Sequence, residues 1–119
     1  MKYAMLICGE ESGWYDASQQ ERDAAYQAIF AWMEKWQAAG KILDGGAELD
    51  TVRKAKTVSR GPDGQPVVTD GPYLELKEVI GGMILLQADD IDDAVTVASG
   101  WPGIARHRDK IEVRPLVQH

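Results

Sequence analysis

The alternation of apolar and polar positions changes period several times along the chain, and each change marks an element. Residues 2–8 are apolar on both alternations, with Tyr3, Met5 and Ile7 on one side and Ala4, Leu6 and Cys8 on the other. That is the pattern of a strand covered on two faces, hence central in a sheet. Residues 9–17 are polar and read as a loop. Ser18 and Glu21 then stand at the S-x-x-E spacing that satisfies free backbone donors at a helix start. Ala25, Ile29, Trp32, Met33 and Trp36 recur at three and four residues as one buried stripe, widened by Tyr26 and Phe30. Gly40 stops this helix after Ala39.

Residues 42–50 are glycine-broken and read as a turn with a brief extended piece ending near Leu49. Segments 53–60 and 66–69 flank Gly61-Pro62-Asp63-Gly64, where proline presets φ and glycine admits positive φ, so they form a hairpin. The basic residues of its first arm, Arg53, Lys54, Lys56 and Arg60, suit an edge that must resist pairing with strangers. Asp70-Gly71-Pro72-Tyr73 is a punctuated loop, and 74–78 is charged and irregular. Residues 79–88 form a second buried strand. Asp89, Asp90, Asp92 and Asp93 then crowd a helix N-terminus, where negative charge complements the exposed donors. Ile91, Ala94, Val95 and Ala98 give that helix its apolar stripe, Gly100-Trp101-Pro102 ends it, and 111–116 is a last strand with Pro115 at an edge.

The order is strand, helix, hairpin strands, strand, helix, strand. This βαββαβ plan predicts an α+β, ferredoxin-like domain with an antiparallel sheet and two helices on one face. The opposite face is then bare, although residues 2–8 and 82–86 are apolar on both sides. A second copy packed sheet to sheet is the expected cover. Burying roughly 600 Å² of apolar surface contributes about 15 kcal/mol at ~25 cal/mol per Å², before the cost of association.

Composition narrows the function. A length of 119 residues with 45% hydrophobic and 27% charged residues supports one domain spanning 1–119. No apolar run approaches the ~20 residues needed to span a bilayer, and no signal-peptide pattern follows Lys2, so a cytoplasmic protein without membrane contact is expected. A net charge of −6 opposes binding to nucleic acid. Cys8 is the only cysteine, so no intramolecular disulfide forms. No metal is expected: the His and Cys spacings of metal sites are absent, and the aspartates at 89–93 lack the glycine and distal glutamate of a calcium loop. No cofactor motif is present either.

Several segments carry a family resemblance across nearly the whole chain: Met1-Lys2-Tyr3-Ala4-Met5-Leu6-Ile7, Gly45-Gly46 with Glu48-Leu49, Val68-Thr69-Asp70-Gly71-Pro72-Tyr73, then Glu75, Lys77 and Glu78, Gly81-Gly82, and Ile111-Glu112-Val113-Arg114-Pro115. Together they resemble the YCII-related family, in the branch named for a DGPF motif, with Tyr73 in place of the phenylalanine. The resemblance implies a dimeric ferredoxin-like α+β barrel, and members encoded beside extracytoplasmic-function sigma factors. A histidine–aspartate acid/base pair is proposed for another branch. It does not transfer, because residues 18–39 contain no histidine.

Asp70 is the leading candidate for a ligand-binding or general-base carboxylate, with Gly71, Pro72 and Tyr73 shaping its loop and Glu75, Lys77 and Glu48 as accompanying groups. The competing reading of Asp70 is a side chain that caps its own turn. His107, between Arg106 and Arg108, is a weaker catalytic candidate. Trp32 and Trp36 belong to the helix stripe, whereas Trp14 and Trp101 lie in loops and could line a pocket or an interface. These features predict a small-molecule-binding homodimer, and the family resemblance implies a regulatory role linked to sigma factors. The alternatives are a cofactor-free enzyme, using Asp70 for proton transfer or oxygenation of a small aromatic or lactone-like substrate, and a protein-docking module acting through the basic arm.

Overall fold

The structure is a computed structural model that describes residues 1–72 and 77–119. In chain order its elements are β1 (Lys2–Gly9), α1 (Glu11–Tyr15), α2 (Gln19–Ala38), β2 (Ile42–Glu48), β3 (Lys56–Arg60), β4 (Pro66–Asp70), β5 (Val79–Gln87), α3 (Ile91–Ser99), α4 (Pro102–His107) and β6 (Lys110–Pro115), with one 3₁₀ turn at Val52–Lys54. The doubly apolar β1 takes the interior of the sheet, as its pattern predicts. It pairs antiparallel with β5 on one side and β6 on the other, so that Met5 lies opposite both Ile84 and Val113. β2 adds antiparallel to the far edge of β5, giving the order β2-β5-β1-β6. With the β3–β4 hairpin set aside, that is the ferredoxin-like split βαβ arrangement.

Three expectations are corrected. The second strand of the plan is β2, from the glycine-broken stretch, whereas the hairpin forms a separate two-stranded sheet inserted between β2 and β5. Among the described residues four α-helices form rather than two. The polar stretch after β1 folds into α1 because Arg22 donates to the carbonyl of Ala17 at 2.8 Å, and also reaches those of Trp14 and Tyr15, holding the carbonyls at the end of that turn. Beyond α3, Pro102 at a first-turn position opens α4 instead of terminating helical structure, since its missing N–H has no intrahelical partner there. Finally, α3 buries Ala94, Val97 and Ala98, while Ile91 and Val95 are exposed.

The helix ends follow the sequence closely. Ser18 Oγ accepts from Glu21 N at 3.1 Å. After Ala39, Lys41 N donates to Trp36 O at 2.9 Å and Gly40 N to Gln37 O at 3.0 Å, the Schellman pattern. At the start of α3, Asp90 Oδ1 accepts from Asp93 N at 2.8 Å, and Asp93 itself pairs with Lys41 Nζ at 2.6 Å.

One core forms between the sheet and the helices. Tyr3, Met5, Ile84 and Leu86 meet Trp32, Ala94, Val97, Ala98 and Trp101. The opposite alternation, Leu6 and Cys8 of β1 with Ile80 and Met83 of β5, faces away from this core, and Ile80 and Met83 are 46% and 43% exposed. The chain is accordingly a slab of 51 × 43 × 18 Å, with a radius of gyration of 16.3 Å. A compact chain of this length would have roughly 13.5 Å.

β2 depends on Gly46. Its pairing with β5 is interrupted twice, between Ile42 and Asp44 and between Asp44 and Ala47. At the second interruption Gly46 has φ 68°, and a Cβ there would overlap the Met83 carbonyl. Gly46→Ala is expected to lower stability by at least about 2 kcal/mol in urea denaturation, from left-handed strain plus the overlap. Hydrogen exchange should accelerate first at the β2–β5 amides.

Candidate functional site

A cavity of about 260 Å³ lies between the helix-facing side of the sheet and the inner sides of α1, α2 and α4. The sheet supplies Ile7, Gly82 and Ile84, α2 supplies Tyr26, Ile29 and Phe30, and Trp14, Trp101 and His107 bound it from the flanking helices. Its lining is chiefly apolar with a few polar groups, which is the usual character of small-molecule sites.

Two of the polar groups meet directly. Tyr26, one turn before Phe30 on α2, donates its hydroxyl to Glu48, whose oxygens lie at 2.8 and 3.0 Å. Glu48 ends β2, so the irregular pairing at Gly46 decides where this carboxylate stands. Burial, then the hydrogen bond to Glu48 and its charge, push the Tyr26 hydroxyl up to about 12. Trp14 sits edge-on to both Tyr26 and His107, with ring centroids at 5.2 and 5.4 Å, and Tyr26 stacks on Phe30 at 6.2 Å. Edge contact of this kind locks rings without closing the space beside them.

α1 holds Trp14 in place through polar ties at both ends. Glu11 accepts from Thr51 Oγ1 and Val52 N, each at 2.8 Å, and Arg22 secures the C-terminal carbonyls. On the far side, Trp101 Nε1 donates to Asp109 Oδ2 at 3.1 Å. Gly103 leaves room for that carboxylate, since a Cβ there would collide with Oδ2. His107 Nε2 is buried with no hydrogen-bond partner among the described residues. The Cys8 thiol is pushed up by burial and then by the charges of Glu112, Glu78 and Asp109, so it stays protonated near neutral pH and is a poor nucleophile.

The candidates read from sequence divide into two places. Glu48 and His107 both line the cavity. Asp70 closes β4 on the hairpin, where its side chain is 89% exposed and pairs with Lys56 Nζ at 2.6 Å. Gly71 beside it is tied to the hairpin, donating to Ala55 O at 2.7 Å and accepting from Thr57 Oγ1 at 2.8 Å, and Pro72 is half-buried. Neither these three residues nor Lys77 line the cavity; Lys77 pairs at 3.4 Å with Glu10, which does. Tyr73 and Glu75 lie outside the described residues. His107 is the last residue of α4. Sequence reasoning assigned Tyr26 and Phe30 to the core stripe and passed over Asp109. The available signal was that both rings stand at the margin of the α2 stripe, where a helix face turns from sheet to cleft.

The Tyr26–Glu48 contact has a signature in pH. A hydroxyl raised above its unfolded value near 10 contributes stability that is complete below about pH 10 and lost as pH rises through about 12. Tyr26 is expected to titrate near pH 12 in the ultraviolet absorbance of tyrosinate. Glu48→Gln should bring it part of the way down, leaving the part due to burial.

The YCII-related domain matches residues 1–118. An uncharacterised protein of Rhizobium meliloti (strain 1021) is 32% identical over 116 residues, covering 98% of this chain and 92% of that protein. The match runs through every element that builds the cavity, from β1 to β6, and the chain belongs to the YCII-related family.

Proposed function

We propose that this protein is a homodimer that binds a small molecule in the cavity between α1, α2, α4 and the sheet. The observation that carries the reading is the cavity itself: apolar and aromatic walls, a Tyr26–Glu48 hydrogen bond at one side and the unpartnered Nε2 of His107 at another. Binding is favoured over nucleophilic or base chemistry by Tyr26 and Cys8, both held in their protonated forms near neutral pH. The Asp70-Gly71-Pro72 segment supports placing the chain in the DGPF branch, and with it a cytoplasmic, regulatory setting beside a sigma factor. Asp70 itself stands on the hairpin paired to Lys56, which supports a structural role in the loop.

Dimerisation is supported by the bare sheet face and the slab shape. An 18 Å thickness is that of one sheet with one helical layer, and the apolar Leu6, Ile80 and Met83 on the other side gain a dry environment only against another molecule. Sheet-to-sheet packing of two copies closes the dimeric α+β barrel.

Ligand binding is tested by a thermal-shift screen against small metabolites, run on the native protein and on Trp14→Ala, His107→Ala and Asp70→Ala variants. A ligand at a hundredfold excess over Kd adds about 2.7 kcal/mol, roughly 10 °C in Tm for a chain of this size. The shift is expected to survive in Asp70→Ala and to fall away in the two cavity variants. Loss in Asp70→Ala alone would move the site to the hairpin. For assembly, light scattering is expected to give twice the 13.1 kDa chain mass, and Leu6→Arg, which places a charge on the bare face, should give the single-chain mass with an unchanged circular dichroism spectrum.

A further inference from the structure

Granting that the cavity is a ligand site, we infer that its ligand is a small organic cation, an ammonium group carried on an aromatic body. Among the described residues four carboxylates line the cavity, Glu10, Glu11, Glu48 and Asp109, against one guanidinium, the exposed Arg106. Only Glu10 has a cationic partner among the described residues, in Lys77 at 3.4 Å. The other three are held by neutral donors. Glu48 is bonded by the Tyr26 hydroxyl, Asp109 by the Trp101 indole, and Glu11 by Thr51 Oγ1 and Val52 N. Neutral donors orient a carboxylate without cancelling its charge, so the field inside the cavity is negative.

The Tyr26 hydroxyl, on the cavity wall, is displaced upward by burial and then by its hydrogen bond to Glu48 and the charge of Glu48. That displacement is in the direction that disfavours an added negative charge. An anionic ligand would meet the same penalty, whereas a cation would relieve it.

The walls suit the same guest. Trp14, Tyr26, Phe30 and Trp101 present indole, phenol and phenyl rings around an apolar floor, and such rings attract ammonium groups through their negative faces while accepting an aromatic body by stacking. The buried Nε2 of His107 has no hydrogen-bond partner among the described residues, and whenever the ring proton sits on Nδ1 it can accept from an ammonium N–H. An ammonium group supplies N–H donors and charge together.

The test compares three probes of similar shape and different charge, phenethylammonium, phenethyl alcohol and phenylacetate, by calorimetric titration of the full chain at neutral pH and low salt. The cation is expected to bind at least tenfold tighter than the alcohol and the alcohol tighter than the anion, with the preference for the cation shrinking as salt is raised. Glu48→Gln, which retains an acceptor for Tyr26, should weaken the cation about tenfold and leave the alcohol unchanged. Asp109→Asn provides a second charge-removing variant with the Trp101 acceptor retained. If the alcohol or phenylacetate binds as tightly as the ammonium, the cationic ligand class is refuted while the cavity stands as a binding site. If none of the three binds, the class and the cavity reading fall together.

Discussion

The indole of Trp32 is the joint on which the helical layer depends. From the middle of α2 it donates Nε1 to the carbonyl of Val97 on α3 at 3.1 Å, and its ring meets Trp101, at the start of α4, edge-on at 5.2 Å. α2 and, far from it in sequence, the consecutive α3 and α4 are thereby set at fixed separations above Tyr3, Met5, Ile84 and Leu86. The donor is buried, so its hydrogen bond cannot be replaced by water, and loss of the partner would leave a desolvated N–H. Because α4 starts at this joint, the position of His107 at its far end is a consequence of core packing. The cavity lies beyond the core on the same helices, where α2 moves off the sheet and α1 crosses the gap.

The same arrangement explains the two unlike faces of the sheet. Helices gathered by Trp32 cover one side, while Ile80 and Met83 on the other stay exposed among the described residues. A strand such as β1, apolar on both alternations, is consistent in a monomer only if the sheet has two covers. The two-sided pattern of β1 is thus the sequence feature on which the proposed dimer rests. The hairpin adds to this: Val58 and Val68, opposite one another, are 65% and 60% exposed, an arrangement that a lone soluble domain gains nothing from.

Much of the fold was legible because local chemistry and global packing agree. The S-x-x-E start at Ser18, the Gly40 stop, the acidic start of α3 and the two-sided apolar strand each point to one structure. β2 was read only as a turn with a brief extended piece ending near Leu49, because Gly45 and Gly46 erase the period-two signal, and the full strand is specified instead by the close approach of its backbone to Met83, a constraint between residues far apart in sequence. α1 was missed for a related reason. A five-residue helix has little propensity of its own, and its support comes from Arg22, Thr51 and Val52. The site was half legible. Glu48 and His107 drew notice as charged or titratable groups at marked positions, but Tyr26 could not be separated from the core stripe, since periodicity reports which side of a helix is apolar and not whether a sheet or a cleft faces it.

Asp70 shows the converse limit. Its tripeptide has strong local punctuation, which in a single sequence reads equally as a binding loop or as a turn. The structure places it where β4 leaves the hairpin, with Lys56 satisfying the carboxylate and Thr57 and Ala55 satisfying the backbone of Gly71. A carboxylate so exposed has its charge shared with water and with a lysine, and it lacks the desolvation that turns a carboxylate into an effective base or a selective ligand. Glu48, less conspicuous in sequence, has instead the half-buried Tyr26 hydroxyl as its partner and an aromatic wall beside it. The difference lies in the partner: a neutral hydroxyl orients a carboxylate and leaves its charge, whereas a lysine counter-ion cancels it.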